Sequence, residues 1–343
     1  MKKLLIAILL LGLFLLSLLA WQLFGSTTTF QEKSKTVYIH TGHNSMREVV
    51  KMLATDSIIR NENLFQYLVK QIKAENKFKP GKYIVKKRAS LFSIIQKFRN
   101  NDQASVNLII TKLRTSEDLA RLVGKKFECD SMQMIQFLNN EKKLNKFGVN
   151  PQTVFTIVFP NTYTFYWTSS PEIIFKSLHK ESEKFWNEQR KQKATKLGLT
   201  EKQVYILASI VEEETNAISD KAKIASVYLN RIQSGMLLQA DPTVKFALKD
   251  FGIKRVMQKH LLAESPYNTY RYKGLPPGPI CTPSLNTIEE VLNSTKTDYL
   301  YFVANSDFSG THIFTTNYAD HLKYAREFQK ALTILMNKKQ NNP

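Results

Sequence analysis

Cysteine is scarce in this chain of 343 residues, which contains only Cys129 and Cys281. Two cysteines do not make the disulfide framework of a small secreted domain, and the sequence leaves open whether they pair. Metal-binding patterns are also missing, because the six histidines show no HExxH or similar spacing. His40 and His43 lie three residues apart, but on a segment predicted to lead from a strand into a turn. We therefore expect no metal ion and no other cofactor.

A long apolar run opens the chain. Leu4 to Phe24 spans 21 residues without a charge, which is about 31 Å of helix at ~1.5 Å per residue and enough to cross a bilayer core. A cleaved signal peptide is the alternative, but its apolar region is usually about 7–15 residues long and ends in a small-x-small site. Leu18, two residues before Ala20, is a poor match to that site. We therefore expect an uncleaved, single-pass anchor in the inner (cytoplasmic) membrane.

Positive charge dominates the rest of the chain. Lys and Arg total 49 against 29 Asp and Glu, so the formal net charge is +20. Lys2 and Lys3 are expected to stay in the cytoplasm by the positive-inside rule, which places the remaining +18 on the periplasmic (extracytoplasmic) side. A strongly basic exported body favours an anionic partner such as cell-wall polymer or lipid headgroups, and nucleic acid is not expected there. A generally lysine-rich composition explains the charge equally well.

Strand and helix patterns alternate after a polar linker at residues 26–35. A strand is predicted at Thr36–His40, and the next helix begins at Ser45 with Glu48 as its capping-box partner. Further along, one long amphipathic helix is predicted at Pro171–Leu197. We expect an α+β protein with a single N-terminal transmembrane helix. The expected domains are an anchor at 1–25, a small α/β subdomain with its linker at 26–105, and a larger mixed α/β domain at 106–343.

Three consecutive glutamates close the helix that follows residue 200, in the segment SIVEEETN at Ser209–Asn216. The apolar face of that helix passes through Leu207 and Ile210, and the next position at helical spacing is Glu214. Glu212 falls on a different stripe, and Glu213 is intermediate. A carboxyl held against apolar surface has a raised pKa and can serve as a general acid. The alternative is that the three glutamates form a solvated helix end.

The neighbouring segments carry clear boundary signals. Thr200 with Gln203 fits a capping box at the start of the glutamate helix. The next helix is predicted to begin at Ser219 or Asp220 and to end before Gly235.

The loops between residues 239 and 287 differ in composition from the rest of the chain. They are rich in Asn, Thr, Tyr, Pro and Gly, with clusters at Gln239–Thr243, Tyr267–Tyr270 and Gly274–Ile280. Aromatic faces beside amide and hydroxyl groups suit a carbohydrate, which offers apolar C–H faces and many hydroxyls. The composition predicts a binding groove, and ordinary turns are the alternative.

Four long motifs follow one another in the second half of the chain. They are LASIVEEETN, KIASVYLNRIQSGMLLQADPTV, SPYNTYRYKGLPPGPICTPSLNTI and YLYFVANSDFSGTHIFTTNYADH. Together they resemble the YceG-like, or MltG, family of endolytic murein transglycosylases. The resemblance covers nearly all of the expected exported chain and is strongest from about Leu207 to His321. It implies a membrane anchor, a small LysM-like subdomain and a catalytic domain, in that order.

The resemblance also assigns a catalytic residue. The family's catalytic acid is the second glutamate of an E-K-E-T motif, and the matching residue here is Glu214, which helical spacing also selects. The family's frequent lysine is Glu213 in this chain, and its like charge predicts a further rise in the pKa of Glu214. The FP-x-TY segment of the family appears as Phe159–Tyr163. A glycine often found after the strand near residue 110 is missing from Thr111–Arg114.

The implied activity is that of a lytic transglycosylase, a carbon–oxygen lyase acting on polysaccharides. It would cleave MurNAc–GlcNAc bonds of nascent glycan strands, leave 1,6-anhydro-MurNAc ends and so terminate strand elongation. Expected partners are peptidoglycan glycan strands, the membrane through Leu4–Phe24, and penicillin-binding proteins or other cell-wall synthesis proteins. The alternatives are a muramidase that uses the same residues and a non-catalytic peptidoglycan-binding scaffold of a cell-wall synthesis complex.

Several residues of the predicted groove are expected to bind the glycan. For Asp241, a turn or cap role at the Asp-Pro step is the alternative. The expected substrate-binding residues are Asn230, Gln239, Asp241, Tyr267, Asn268 and Thr269.

Overall fold

The computed structural model describes residues 5–14, 17, 25 and 27–341, with side chains described as far as residue 337. Within that range it shows a mixed α/β protein with many helices and three two-stranded sheets. The chain forms two compact units. The first comprises residues up to 108 together with 123–130 and 164–170, and the second comprises 109–122, 131–163 and 171–343.

The first unit is built on an antiparallel pair of strands, β1 (Ser34–Ile39) and β2 (Gly81–Lys86). Helices α1 (Met46–Thr55) and α2 (Glu62–Gln71) lie between these strands in the chain, and α3 (Leu91–Arg99) follows β2. Their apolar faces meet in one core that includes fully buried Phe65, Tyr83 and Phe98. The strand predicted at Thr36–His40 is confirmed, shifted by one or two residues.

The start of α1 confirms the predicted capping box. The Ser45 side chain accepts a hydrogen bond from the backbone N–H of Glu48, and the Glu48 carboxylate accepts one from the backbone N–H of Ser45. Two of the four unpaired N–H groups of the helix end are satisfied in this way.

The remaining elements follow from residue 105 onwards. Strands β3 (Ser105–Ile110) and β4 (Asn161–Tyr166) form one sheet, and β5 (Tyr301–Ala304) pairs antiparallel with β6 (His312–Thr315) in another. Two 3₁₀ turns lie at Asn145–Phe147 and Val154–Ile157. The helices are α4 (Ser116–Gly124), α5 (Ser131–Leu138), α6 (Glu141–Leu144), α7 (Pro171–Phe185), α8 (Glu188–Lys196), α9 (Glu201–Glu214), α10 (Ile218–Gln233), α11 (Asp241–Ala247), α12 (Gln258–Leu261), α13 (Leu285–Leu292) and α14 (Tyr318–Asn341).

Helix α9 is the centre of the second unit. Every residue from Val204 to Val211 is buried, so the helix is enclosed on all sides rather than along one face. Helices α10 and α13 pack against it and against each other. The predicted capping box of Thr200 and Gln203 is present at its start. The site at the C-terminal end of α9 therefore rests on a rigid, enclosed element.

Two predicted helix boundaries were wrong. The helix expected at Pro171–Leu197 is two helices, because the chain breaks at buried Trp186 and restarts where the Asn187 side chain accepts the N–H of Arg190 at 3.0 Å. Helix α10 has Ala217 at its N-cap, not Ser219 or Asp220. There the Thr215 hydroxyl accepts the backbone N–H of Ala217 at 3.0 Å, which fixes the turn between α9 and α10.

Within the described residues no helix is both long enough and apolar enough to cross a membrane. The structure describes about half of the predicted span Leu4–Phe24, namely residues 5–14 and 17, and the rest of the span lies outside the described residues. The anchor, the LysM-like character of the first unit and the domain boundaries stay predictions. Cys129 and Cys281 are both free and buried.

Candidate active site

Glu214 is the last residue of α9, and its carboxyl lies partly enclosed between α9, α10 and α11. Oε1 of Glu214 accepts a hydrogen bond of 2.6 Å from the hydroxyl of Tyr228, a buried residue of α10. Burial raises the pKa of Tyr228 well above its ordinary value, so its hydroxyl keeps its proton and donates. The predicted inward orientation of Glu214 is thereby explained by a specific partner.

The pKa of Glu214 is raised from 4.5 to about 7. Burial is the main cause, because it penalises the charged carboxylate, and the negative charge of Asp241 adds to it. The hydrogen bond from Tyr228 and the positive charges of Lys245 and Arg231 oppose the rise. A carboxyl with a pKa near 7 is suited to give and take a proton at neutral pH.

Glu212 lies two residues earlier but in a different environment. Its Oε2 pairs with Lys221 Nζ at 2.9 Å and accepts hydrogen bonds from the hydroxyls of Thr287 and Ser284. Burial alone would raise the pKa of Glu212, but the Thr287 and Lys221 contacts outweigh it and the pKa is lowered. Glu212 is therefore a charged structural group that joins α9 to α10 and α13.

Glu213 is likewise paired. Both of its carboxylate oxygens accept from the Arg114 guanidinium, at 3.2 and 3.0 Å, and Lys112 Nζ lies 3.0 Å from Oε1. Burial opposes ionisation, but these two cations dominate and lower the pKa of Glu213. The expectation that Glu213 raises the pKa of Glu214 needs correction, because the like charge that contributes is that of Asp241.

Two predicted groove residues hold the backbone around this site. The Asn230 amide donates to the carbonyl oxygens of Thr297 and Tyr299, at 2.7 and 2.9 Å. Gln239 adopts a left-handed backbone with φ of 53°, and its N–H donates to the carbonyl of Thr269 at 3.1 Å. Contact of either side chain with a glycan stays a prediction.

Asp241 begins α11 and is exposed, and its negative charge acts on Glu214. One of its carboxylate oxygens accepts a 2.6 Å hydrogen bond from the hydroxyl of Tyr270. Ala240, not Asp241, occupies the N-cap of this helix. The side chain of Asp241 therefore has no capping role, and its contact with a ligand stays a prediction.

The remaining predicted residues, Tyr267 to Thr269, form a packed loop. The Tyr267 ring lies 4.7 Å from that of Phe246 between centroids and is half-buried. Asn268 and Thr269 are fully buried. The Asn268 amide donates to two backbone carbonyls, and the Thr269 hydroxyl accepts the N–H of Ala240 at 3.0 Å. These contacts set the position of α11 beside Glu214, and direct sugar contact stays a prediction.

The Pro-rich segment Gly274–Ile280 requires a glycine at position 278. A Cβ at Gly278 would lie 2.0 Å from the backbone oxygen of Gln152 and 2.9 Å from the Tyr267 hydroxyl. The loop therefore packs tightly against the same unit instead of remaining open to solvent.

Sequence reasoning missed the groups that tune Glu214. No effect on this glutamate was predicted for Tyr228, Arg231, Lys245 or Tyr270. One signal was available, because Tyr228 and Arg231 are three residues apart on one helix and so share a face. Lys112 and Arg114 stand where the family's glycine is missing, and their pairing with Glu213 was not anticipated. Among the described residues no cluster of side chains suits a metal ion.

Comparison with known proteins assigns the chain to a family. The model of the YceG-like family matches residues 37–327. The chain belongs to the YceG-like family. The matched range contains Glu214, Tyr228 and every predicted groove residue.

Individual relatives agree with this assignment. An endolytic murein transglycosylase of Bacillus subtilis (strain 168) is 32% identical over 304 residues, covering 83% of this chain and 82% of the relative. One of Streptococcus pneumoniae (strain D39) is 36% identical over 128 residues, and the match spans less than a quarter of that relative, 23%. The crystal structure of a putative yceG-like protein from Listeria monocytogenes matches with a TM-score of 0.55 and 27% identity, covering 85% of this chain and 99% of the other.

Proposed function

We propose that this chain is a membrane-anchored endolytic lytic transglycosylase of peptidoglycan. Membership in the YceG-like family and the name of the Bacillus subtilis relative support a murein transglycosylase role. The observation that carries the proposal is the Glu214 carboxyl, with a pKa raised to about 7 and a single oxygen bound by Tyr228. By the resemblance of its motif, Glu214 corresponds to the family's catalytic acid.

The first step uses the protonated form of Glu214. Because Oε1 accepts from Tyr228, the proton to be donated resides on Oε2. Glu214 transfers this proton to the glycosidic oxygen between MurNAc and GlcNAc, and the bond to C1 of MurNAc breaks with oxocarbenium character. The new carboxylate keeps the Tyr228 hydrogen bond, which stabilises its negative charge.

The second step returns the proton. The Glu214 carboxylate takes it from the C6 hydroxyl of the same MurNAc, and the C6 oxygen bonds to C1 to close a 1,6-anhydro ring. No water is consumed, and Glu214 ends as it began. Ordinary glycosidases need two carboxylates for displacement by water or for a covalent intermediate, whereas this route needs one. General acid–base catalysis of this kind contributes ~10²–10⁴-fold.

The groove must supply the rest of the rate enhancement by holding the sugar in the reactive position. We propose that Asp241, which is exposed, and Tyr267, which is half-buried, contribute side chains to this groove. We propose that Asn230, Gln239, Asn268 and Thr269 contribute as well, at least through the backbone that they hold.

The cellular setting is also a proposal. An anchor at Leu4–Phe24 would hold the second unit on the outer side of the cytoplasmic membrane, close to nascent strands. A LysM-like subdomain at 26–105 would precede the catalytic domain, as the family resemblance implies. Cleavage there would end strand elongation, beside penicillin-binding proteins or other synthesis enzymes.

Analysis of the ends that the purified full chain makes on uncrosslinked glycan strands tests this function. Mass spectrometry is expected to find 1,6-anhydro-MurNAc ends. Reducing MurNAc ends alone would instead identify a muramidase. Binding of strands without any new ends would favour the non-catalytic scaffold.

A further inference from the structure

Arg231 carries a buried positive charge that acts electrostatically on Glu214, with only 7% of its surface exposed. Its Nε donates to the carbonyl oxygen of Leu300 at 2.7 Å, and its Nη1 donates to that of Leu238 at 2.7 Å. Its guanidinium carbon lies 5.2 Å from the centroid of the Tyr301 ring. All of these partners are neutral.

A buried cation ordinarily has a carboxylate partner. Within the part of the chain that the structure describes, no Asp or Glu oxygen lies within 4.0 Å of the Arg231 guanidinium. Arg114 and Arg190 in the same unit differ, because each pairs directly with a carboxylate, at 3.0 and 2.5 Å. The field of Arg231 is therefore not cancelled at contact distance.

Helix α10 connects Arg231 to the partner of Glu214. Arg231 follows Tyr228 by three residues in α10, so the two side chains lie on one face of the helix. The Tyr228 hydroxyl in turn donates to Glu214. Burial lowers the pKa of Arg231, and the negative charges of ionised Tyr228 and Glu214 act to raise it. In return, the positive charge of Arg231 acts to lower the pKa of Glu214.

Other charged or titratable groups also face Glu214. Helix α11 contributes Asp241 and Lys245, and the loop after α12 contributes Tyr270. Of these, Asp241 is exposed and Lys245 is only half-buried. The neighbours Glu212 and Glu213 on α9 are neutralised in their own pairs. Arg231 is thus the most deeply enclosed of the cations that act on Glu214.

We propose that Arg231 is a positioning residue of the reaction, whose charge stabilises the carboxylate that Glu214 becomes when it donates its proton. In that step the O–H bond of Glu214 breaks, the proton goes to the glycosidic oxygen, and the negative charge stays on Glu214 until the C6 hydroxyl returns a proton. A fixed cation beside developing charge lowers the barrier because no solvent has to reorganise. This inference rests on the proposed function.

The test compares Arg231→Met with wild type in the full chain, held in detergent. The pH above which kcat/KM for anhydro-end formation falls is expected to rise by about 1 unit, because an opposite charge that favours the carboxylate has been removed. The maximal rate is expected to fall by about tenfold or more. A merely structural role would lower the amount of folded protein without changing that pH.

A second measurement reads the Glu214 pKa without any activity. The free energy of unfolding is measured against pH for four proteins: wild type, Glu214→Gln, Arg231→Met and the double variant. In each background, the difference between the protein with Glu214 and the protein with Gln at this position gives the pKa of Glu214. Arg231→Gln keeps a donor for the carbonyl oxygens and replaces Arg231→Met if that variant does not fold. Arg231→Lys keeps the charge and is expected to leave the pKa within about half a unit of wild type.

Arg190→Met is the matched control, because it removes a cation that lies over the Phe185 ring and pairs with Glu289 in the same unit. It is expected to lower stability without moving the Glu214 pKa. An unchanged pKa in the neutral variants of Arg231 would overturn the proposal. If wild type makes no anhydro ends, the proposed function fails, and the pKa values from unfolding still decide the effect of Arg231.

Discussion

Three consecutive glutamates at one helix end differ in charge because their neighbours differ. Glu212 contacts Lys221, and Glu213 contacts Lys112 and Arg114, so both carboxylates have lowered pKa values. Glu214 has a tyrosine hydroxyl as its contact partner and is buried enough that its pKa rises to about 7. Separation of pKa values within one site is what allows a single carboxyl to act as the acid.

The pH dependence of the reaction follows from this value. Glu214 must be protonated to donate, so kcat/KM is expected to be level below pH 7 and to fall about tenfold per pH unit above it. Initial rates of strand cleavage from pH 5 to 9 provide the measurement. A profile that rises through pH 7 would mean that the essential group acts as a base in the free enzyme.

Glu214 also costs stability at neutral pH. Its folded pKa of about 7 lies above the ordinary 4.5, so the folded state holds the proton more tightly and loses stability as the pH rises through this window. Glu214→Gln is therefore expected to raise the free energy of unfolding by about 1–3 kcal/mol at pH 8 and by little at pH 4. Denaturant titrations at both pH values check this. Equal effects at the two pH values would contradict the raised pKa.

At the scale of elements, α9, α10 and α13 are joined by a buried ion pair. Only 14% of the Glu212 side chain and 8% of the Lys221 side chain are exposed, and the Thr287 hydroxyl bonds to both. These contacts hold the C-terminal end of α9, where Glu214 lies. Precise placement of the acid thus depends on a neighbour that takes no part in the chemistry.

Lys221→Met is expected to destabilise the second unit by about 3–5 kcal/mol, because Glu212 would remain buried without its cation. Adding Glu212→Leu is expected to recover part of the loss. Lys184→Met, in the exposed pair with Glu181, serves as the control and should cost less than about 1 kcal/mol. Urea unfolding of the three variants gives the comparison. A small effect of Lys221→Met alone would show that Glu212 is solvated.

Local signals predicted the elements better than the contacts between them. The capping boxes at Ser45 and Thr200 and the inward direction of Glu214 follow from spacing within one turn of helix. The break at Trp186 was missed because amphipathic charge patterning continues across it. Pairs such as Arg114 with Glu213, 99 residues apart, depend on tertiary structure and have no local pattern.

At the scale of the whole molecule, each compact unit holds one cysteine. Cys129 belongs to the first unit and Cys281 to the second, and both thiols are free and buried. Burial raises the pKa of Cys129 to about 11 and that of Cys281 well above its ordinary value, so neither forms a reactive thiolate at neutral pH.

Thiol titration checks this directly. The native full chain is expected to react with fewer than about 0.2 equivalents of a thiol reagent within minutes, and the unfolded chain with both cysteines. Reduction should not change its electrophoretic mobility. A disulfide between Cys129 and Cys281 would show itself in one of two ways. Reduction would change the electrophoretic mobility, or the unfolded, unreduced chain would contain no thiol that reacts with the reagent.

The most direct test of the central claim is the rate at which 1,6-anhydro ends appear with wild type, Glu214→Gln and Glu201→Gln. Glu201 lies in the first turn of the same helix and serves as the control. Glu214→Gln is expected to slow the reaction by ~10²–10⁴-fold, while Glu201→Gln is expected to react at nearly the wild-type rate. Formation of anhydro ends by Glu214→Gln at the wild-type rate would contradict Glu214 as the catalytic acid.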